Sequence, residues 1–283
     1  MTKSDFLCAN DSASLLVKEK DGVATLAFSL FESLPVKHAF STRLGGVSTG
    51  HLASMNLSYA RQDDPDNVTE NFKRIGKAVG FTIDQLVFSD QQHHTNVRRV
   101  TKEDAGAGIV KPLSYQDVDG LITNEKGICL ATFFADCVPL YFVDPVHQAI
   151  GLSHSGWRGT AGRMGAVTIA AMQKEFGSRP EEIYAAIGPS ICKDCYEVSE
   201  EVYEEFSKRF SKEELGQCFQ EKGGGKYQLD LWRANEGILL SAGILKEHLT
   251  VTDVCTCCNP KLLFSHRASK GMRGNLAAFL MLS

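Results

Sequence analysis

A chain of 283 residues can bury a sizeable core without cross-links, as one large domain or two small ones. Hydrophobic residues at 43% and charged residues at 23% are ordinary globular values, which exclude the fibrous and disordered classes. The 30 Lys and Arg against 34 Asp and Glu leave a formal net charge of -4, so there is no general attraction to nucleic acid or to an anionic membrane, and an anionic ligand must be met locally.

The opening MTKSDFLCANDSASLL lacks a basic region followed by an apolar run and a small-residue cleavage site, so a cytoplasmic protein is expected, with roughly the first 20 residues flexible. VATLAF from Val23 and VKHAFST from Val36 read as β-strands. From Asp64-Pro65, apolar residues at Val68, Phe72, Ile75 and Val79 keep helical spacing, with Pro at the start and Gly80 after the last, which predicts an amphipathic helix. ICLATFF from Ile128, PLYFVD from Pro139 and QAIGLS from Gln148 are further strands, followed by a helix from about Thr160 to Phe176. IYAAIG from Ile183 is a strand, helices run from roughly Ser199 to Phe210 and Leu231 to Ala242 before Gly243, and AAFLML from Ala277 is the last strand. Several runs are apolar at successive residues, the pattern of strands buried on both faces beneath helices. Strands and helices do not alternate one by one, so mixed sheets with helices outside are expected, in one domain spanning residues 1–283. There is no 20- to 50-residue repeat, Walker loop or GxGxxG, and the longest apolar runs fall far short of the roughly 20 residues that span a bilayer.

The richest stretch is FFADCVPLYFVDPVHQAIGLSHSGWRG, from Phe133 to Gly159. A turn at Asp144-Pro145 would make its two strands a hairpin and bring Cys137 and His154 together at one end, where strands yield to turns. The same spacing also fits a small buried thiol and a satisfied core histidine. Upstream, DQQHHTNV places His93 and His94 in a polar segment; on extended chain adjacent residues point to opposite sides, so at most one faces a site. Two imidazoles and a thiolate suit zinc and leave a fourth position for water.

Nine cysteines, an odd count, point to reduced thiols, some of them metal ligands. Cys192-Lys193-Asp194-Cys195 and Cys255-Thr256-Cys257-Cys258 each contain a CxxC and offer a competing structural zinc site, although more residues separate them than in an ordinary zinc ribbon. In STRLGGVSTG, Arg43 precedes Gly45 and Gly46; an Arg fork beside flexible backbone suits phosphate, and equally a glycine turn with a surface arginine.

Taken together, STRLGGVS, Asn56-Leu57, DQQHHTNV, DVDGLIT, FADCVPLYF, SHSGWRG, IGPSICKDCYEV and the late CTCC with FSHR resemble the laccase-domain proteins, historically labelled polyphenol oxidases. The resemblance runs in matching order from about Val36 to the end. It implies a single α+β domain of four layers, an α/β/β/α sandwich with mixed sheets, and a zinc, or alternatively a copper, held by His93, Cys137 and His154. His93 is selected over His94 because the family motif is Gln, any residue, His and usually Gly, and His94 occupies the glycine's place.

The resemblance further implies purine nucleoside chemistry: phosphorolysis of adenosine, guanosine, inosine and methylthioadenosine, and adenosine deamination, with nucleoside and phosphate as small-molecule partners. Asp136 and Glu197 are the proton-transfer candidates beside Cys137. Arg43 with Gly45 and Gly46 is the candidate phosphate grip, Arg158 and His266 are further cations, and Asn56, Gln91 and Asp119 carry motif positions. SYARQDD lacks the glycines many members carry there, and Asn275 stands where arginine is common, with Arg273 as a substitute.

Two rival readings belong to other classes. Cys137 and His154 could be the nucleophile and base of a hydrolase acting on a peptidoglycan precursor, an activity that metal removal would spare. Alternatively, the chain binds metal or a nucleoside without catalysis, which tight binding with slow turnover would reveal. A true laccase is excluded, because multicopper oxidases need about ten His ligands in HxH pairs and this chain has 8 His and no HxH.

Overall fold

The computed structural model describes residues 1–9 and 14–283. In chain order the first strands are β1 (Leu15–Lys20), β2 (Val23–Phe28), β3 (Val36–Ser41), β4 (Leu86–Phe88) and β5 (Val97–Arg99). They are followed by β6 (Gly120–Thr123), β7 (Cys129–Phe134), β8 (Val138–Asp144), β9 (Ala149–Ser155) and β10 (Tyr184–Ile187). The last are β11 (Glu197–Ser199), β12 (Phe219–Gly223), β13 (Lys226–Leu229), β14 (Leu249–Val251) and β15 (Leu276–Leu282). The helices are α1 (Pro65–Val79), α2 (Trp157–Ala161), α3 (Met164–Phe176), α4 (Glu200–Ser207), α5 (Lys212–Cys218), α6 (Leu231–Ser241) and α7 (His266–Ser269).

One six-stranded sheet has the order β1-β2-β3-β15-β7-β4, a second has β14-β10-β8-β9-β6-β5, and a small third has β11-β13-β12. Both large sheets are mixed: β4 pairs parallel to β7, β5 to β6 and β14 to β10, while their other pairs are antiparallel.

Side-chain alternation explains why the strands read as continuous apolar runs. In β15, Leu276, Ala278, Leu280 and Leu282 enter a core shared with Tyr141 and Leu152 of the second sheet. Ala277, Phe279 and Met281 of the same strand pack with Val68, Phe72 and Ile75 of α1. In β8, Val138, Leu140 and Phe142 meet Ile169 and Met172 of α3 and Leu239 of α6, whereas Tyr141 and Val143 face the first sheet. The result is the expected α+β domain of four layers, with both sheets covered on both faces.

Helix α1 forms as its sequence predicts. Asp64 caps it by accepting the Asp66 N–H, Pro65 fills the first turn, and Gly80 ends it at φ 97 while returning its N–H to Gly76. The helix expected over 160–176 is two helices, broken at Gly162-Arg163 with Arg163 at φ 59. The break has a packing reason: a Cβ on Gly162 would lie 2.6 Å from Cγ2 of Thr95, so the backbone there must approach the segment that carries His93. The helix expected over 199–210 stops at Ser207, and Ser211 caps a separate α5. Residues 10–13, within the segment expected to be flexible, lie outside the described residues; Leu15–Lys20 pairs along its length with β2.

Phe72 is fully buried between α1 and the first sheet, 5.0 Å from the Phe88 ring centroid and 6.3 Å from that of Phe133. Phe72→Ala leaves a cavity the layers cannot close and is expected to cost about 3–5 kcal/mol, read as a lower denaturant midpoint at unchanged slope.

Candidate metal centre

The hairpin of β8 and β9 pairs Val138 with Ser155 and Pro139 with His154, which places Cys137 just beyond the paired end beside His154. The segment after β4 supplies His93. Ligand-capable atoms of His93, Cys137 and His154 all lie within 4.8 Å of one another, and the two imidazole rings are nearly perpendicular with centroids 4.9 Å apart. His93 is exposed, Cys137 half-buried and His154 buried.

Asp119, fully buried just before β6, organises this trio. Its carboxylate accepts the backbone N–H groups of Gln92 at 2.9 Å, His93 at 3.1 Å and His94 at 3.1 Å. Its Oδ1 also lies 2.8 Å from Nδ1 of His154, and its carbonyl accepts the His154 N–H at 2.8 Å. A protonated Nδ1 toward Asp119 leaves Nε2 for Cys137 or a metal, the usual outer-shell arrangement of a ligating histidine. The backbone pays in strain here: His93 sits at φ 66 and Asp136 at φ 89, where non-glycine residues rarely lie.

Electrostatics follow from the same contacts. Burial acts to raise the Cys137 thiol, but the charge and hydrogen bond of His154, joined by His93, outweigh it and bring the thiol down to about 6. Burial would lower His154, yet Cys137 and Asp119 hold it raised. Burial opposes ionisation of Asp119, and hydrogen bonding to His154 and to backbone N–H groups still lowers it.

The donors also have room to share an ion. A Cβ on Gly156 would lie 3.1 Å from Sγ of Cys137, 3.2 Å from Cδ2 of His93 and 3.7 Å from Cε1 of His154, so glycine leaves the space beside the trio open. Two imidazoles and one thiolate fit zinc, and copper by softness.

A cavity of about 240 Å³ opens onto Cys137 and His154, and its polar walls include Gln91, Arg61, Arg273 and Asn275. Asn275 joins the two cations, its Oδ1 accepting from Nε of Arg61 at 3.1 Å and from Nη1 of Arg273. Asn56 braces the same wall, accepting the Asn275 N–H at 3.0 Å and donating to Asp63 at 2.9 Å. Gln91 lines the cavity while both ends of its amide bond to the Phe133 backbone, at 2.8 and 2.7 Å. His266 lies near this group; burial, then Arg273, lowers its basicity. A second cavity also reaches His93 and is lined by His94, Trp157 and Arg158, with the Arg158 guanidinium 4.1 Å from the Trp157 ring centroid.

Other expected site residues stand elsewhere. Arg43 does not line either cavity: Nε donates to Ala53 O at 2.8 Å, Nη1 to Pro260 O at 2.7 Å, and its guanidinium lies over Phe264. Gly45 and Gly46 serve close backbone packing, since a Cβ would come within 2.4 Å of Gly22 O and 2.1 Å of Ser54 O. The Asp136 carboxylate accepts from Thr256 Oγ1 and from the Arg267 N–H, both at 2.7 Å. Glu197 is exposed and paired with Lys222 at 2.9 Å, and the structure does not bring it to the trio's cavity. Arg61 was not visible as a site residue because it lies in a polar turn without motif or period. Tyr196, in the CYEV segment of the resemblance, is partly buried, and its hydroxyl pKa is raised by burial and by the nearby Cys137 charge.

Asp119→Asn removes the charge that orients His154, and the expected result is a 10- to 100-fold loss of zinc affinity by competition with a chelator, order of magnitude about that of outer-shell variants generally. In metal-free protein, Cys137 should react with iodoacetamide with an inflection near 6, because a lowered pKa keeps the thiolate present above that pH and loses it below. Asp119→Asn should move that inflection upward, and an inflection in the ordinary thiol range for the parent protein would contradict the pairing.

A family model described as multi-copper polyphenol oxidoreductase laccase matches residues 37–283. The purine nucleoside phosphorylase YlmD of Geobacillus stearothermophilus is 38% identical over 241 residues, covering 85% of this chain and 88% of that protein. A purine nucleoside phosphorylase of Deinococcus radiodurans is 38% identical over 248 residues, 88% of this chain and 90% of the relative. The crystal structure of YlmD from Geobacillus stearothermophilus superimposes with TM-score 0.87 at 35% identity, over 94% of this chain and 97% of that one. The Bacillus licheniformis hypothetical protein YfiH gives 0.88 at 32% identity, over 94% and 98%. Matched from residue 37 through its final strand, and alike in fold over nearly its whole length, this chain belongs to the multi-copper polyphenol oxidoreductase laccase family.

Proposed function

We propose that this chain is a zinc-dependent purine nucleoside enzyme that phosphorolyses adenosine, guanosine, inosine and methylthioadenosine and deaminates adenosine. The observation that carries the reading is the convergence of three metal-competent donors on a cavity with two arginines in its wall, in a chain whose relatives are named purine nucleoside phosphorylases. Bound by His93, Cys137 and His154, zinc would supply a Lewis acid with a fourth position open to water; copper is the alternative metal.

The chain's own residues have separable tasks. Asp119 fixes the His154 tautomer, and Gly156 keeps the donors uncrowded. Arg61 and Arg273, spaced by Asn275, grip phosphate with their planar forks. In phosphorolysis a phosphate oxygen bonds to C1′ of the ribose as the C1′–N9 bond breaks, its electron pair leaving with the purine, which takes up a proton. In deamination water adds at C6 and ammonia departs. His266, its basicity lowered beside Arg273, is the proton carrier in this scheme. Asp136 and Glu197 act in it by holding neighbouring backbone and side chains, since their carboxylates bond to Thr256 and Arg267 and to Lys222. Among the described residues no helix is long and apolar enough to cross a membrane. The eight cysteines from Cys129 onward are free thiols, and a reducing, cytoplasmic setting is part of this reading.

A second reading rests on one observation: Cys137, His154 and Asp119 form a thiol, imidazole and carboxylate relay with the thiol pKa lowered, as a cysteine hydrolase requires. Its substrate would be a peptidoglycan precursor. Adenosine turnover with and without phosphate, with adenine, inosine and hypoxanthine separated, tests both readings. Metal removal should abolish product, and survival of hydrolysis of a muropeptide in metal-free protein would select the hydrolase. Arg61→Ala and Arg273→Ala should each raise KM for phosphate about 10- to 100-fold, the loss of a charged hydrogen bond, while deamination changes little; equal losses in both reactions would remove phosphate from that wall.

A further inference from the structure

Four cysteines that this chemistry does not use gather at a second place. The turn after β10 carries Cys192 and Cys195, and the turn after β14 carries Cys255 and Cys258. Because β10 and β14 are parallel neighbours, Ala185 beside Leu249 and Ile187 beside Val251, their C-terminal ends deliver the two turns side by side. The pairing continues beyond the strands as a parallel bridge between Ser190 and Cys255. All four sulfurs lie within 4.8 Å of one another, with Cys195 to Cys258 at 3.5 Å and Cys192 to Cys258 at 4.0 Å.

Those separations discriminate among the things four thiols can do. Sulfurs at the corners of a tetrahedron with zinc–sulfur bonds of about 2.3 Å stand about 3.8 Å apart. A disulfide needs about 2.05 Å, and a cubane iron–sulfur cluster spreads its four thiolates much further than a single ion does. Cys255 Sγ also accepts two backbone N–H groups, from Cys192 at 3.2 Å and from Cys258 at 3.4 Å. Such donors, one from each turn, offset thiolate charge and orient the sulfur, as outer-shell groups do at metal sites. Cys257 is not one of the four.

We propose that Cys192, Cys195, Cys255 and Cys258 bind a single zinc ion tetrahedrally, as a closed structural site separate from His93, Cys137 and His154. Four sulfur donors satisfy the ion completely, so the site has no position for substrate. Its place in the fold gives it a second consequence. Thr256, between two of the ligands, donates to Asp136 at 2.7 Å, and the N–H of Ile191, next to a third, donates to Asp136 O at 3.0 Å. Both metal-bearing turns therefore hold the residue before Cys137, in its strained backbone. The ion clamps two turns that the sheet only brings close, and through Asp136 it positions Cys137 without touching substrate.

The test is zinc content of protein purified under reducing conditions, parent beside His154→Ala and His154→Ala with Cys195→Ser and Cys258→Ser. His154→Ala should retain one zinc per chain, and the triple variant should retain none. A second measurement needs no substitution: demetallated parent is titrated with zinc(II) alone, then alkylated and mapped by peptide mass. Cys192, Cys195, Cys255 and Cys258 should be protected by zinc and exposed again by a chelator. Equal alkylation of the four with and without zinc, their recovery as disulfides, or a folded His154→Ala protein free of metal would each overturn the proposal.

Discussion

One buried carboxylate holds the candidate active site together. Asp119 gathers three consecutive backbone N–H groups from the His93 segment and the imidazole of His154, so two parts of the chain separated by 61 positions (154 - 93) are tied to a single side chain. An unpaired carboxylate in a core costs several kcal/mol. Here the cost is offset by hydrogen bonds that also dictate where each donor points. The rest of the layered fold can be understood as the support for this group: β6 and β9 are antiparallel neighbours, with Gly120 opposite Ser153, which brings Asp119 and His154 side by side.

Much of this was legible in the sequence, for reasons that can be named. The β8–β9 hairpin showed itself because both strands are seven residues long, apolar on successive positions, and separated by a turn at Asp144-Pro145. Helix α1 was visible in its spacing and in both of its caps. The three-residue strands β4, β5, β11 and β14 are too short to carry a period, and α5 follows α4 too closely to be separated by pattern. The four-layer arrangement and the donor trio came from resemblance to a family, since 44 positions (137 - 93) and 17 (154 - 137) lie between the donors.

The arginines illustrate what pattern reading cannot supply. Arg43 has suitable chemistry and suitable glycines, yet its donors go to the carbonyls of Ala53 and Pro260. Pro260 is 217 positions away, so the contact that occupies Arg43 has no local signature. Arg61 and Arg273 are likewise distant in sequence, and Asn275, read in the sequence as a departure from the family's usual arginine, bonds to both. A departure that looked like the loss of a cation is, in the structure, the bridge between two others.

The trio is unequal in how it is anchored. His154 belongs to a central strand and Cys137 to the end of its hairpin partner, whereas His93 is exposed, in a left-handed turn outside any strand. Releasing either of the first two would disturb the core; releasing His93 would disturb only its own segment. An ion held there would therefore keep its two core-anchored donors when the His93 segment opens locally, so that segment, and not global unfolding, would be the route by which it leaves.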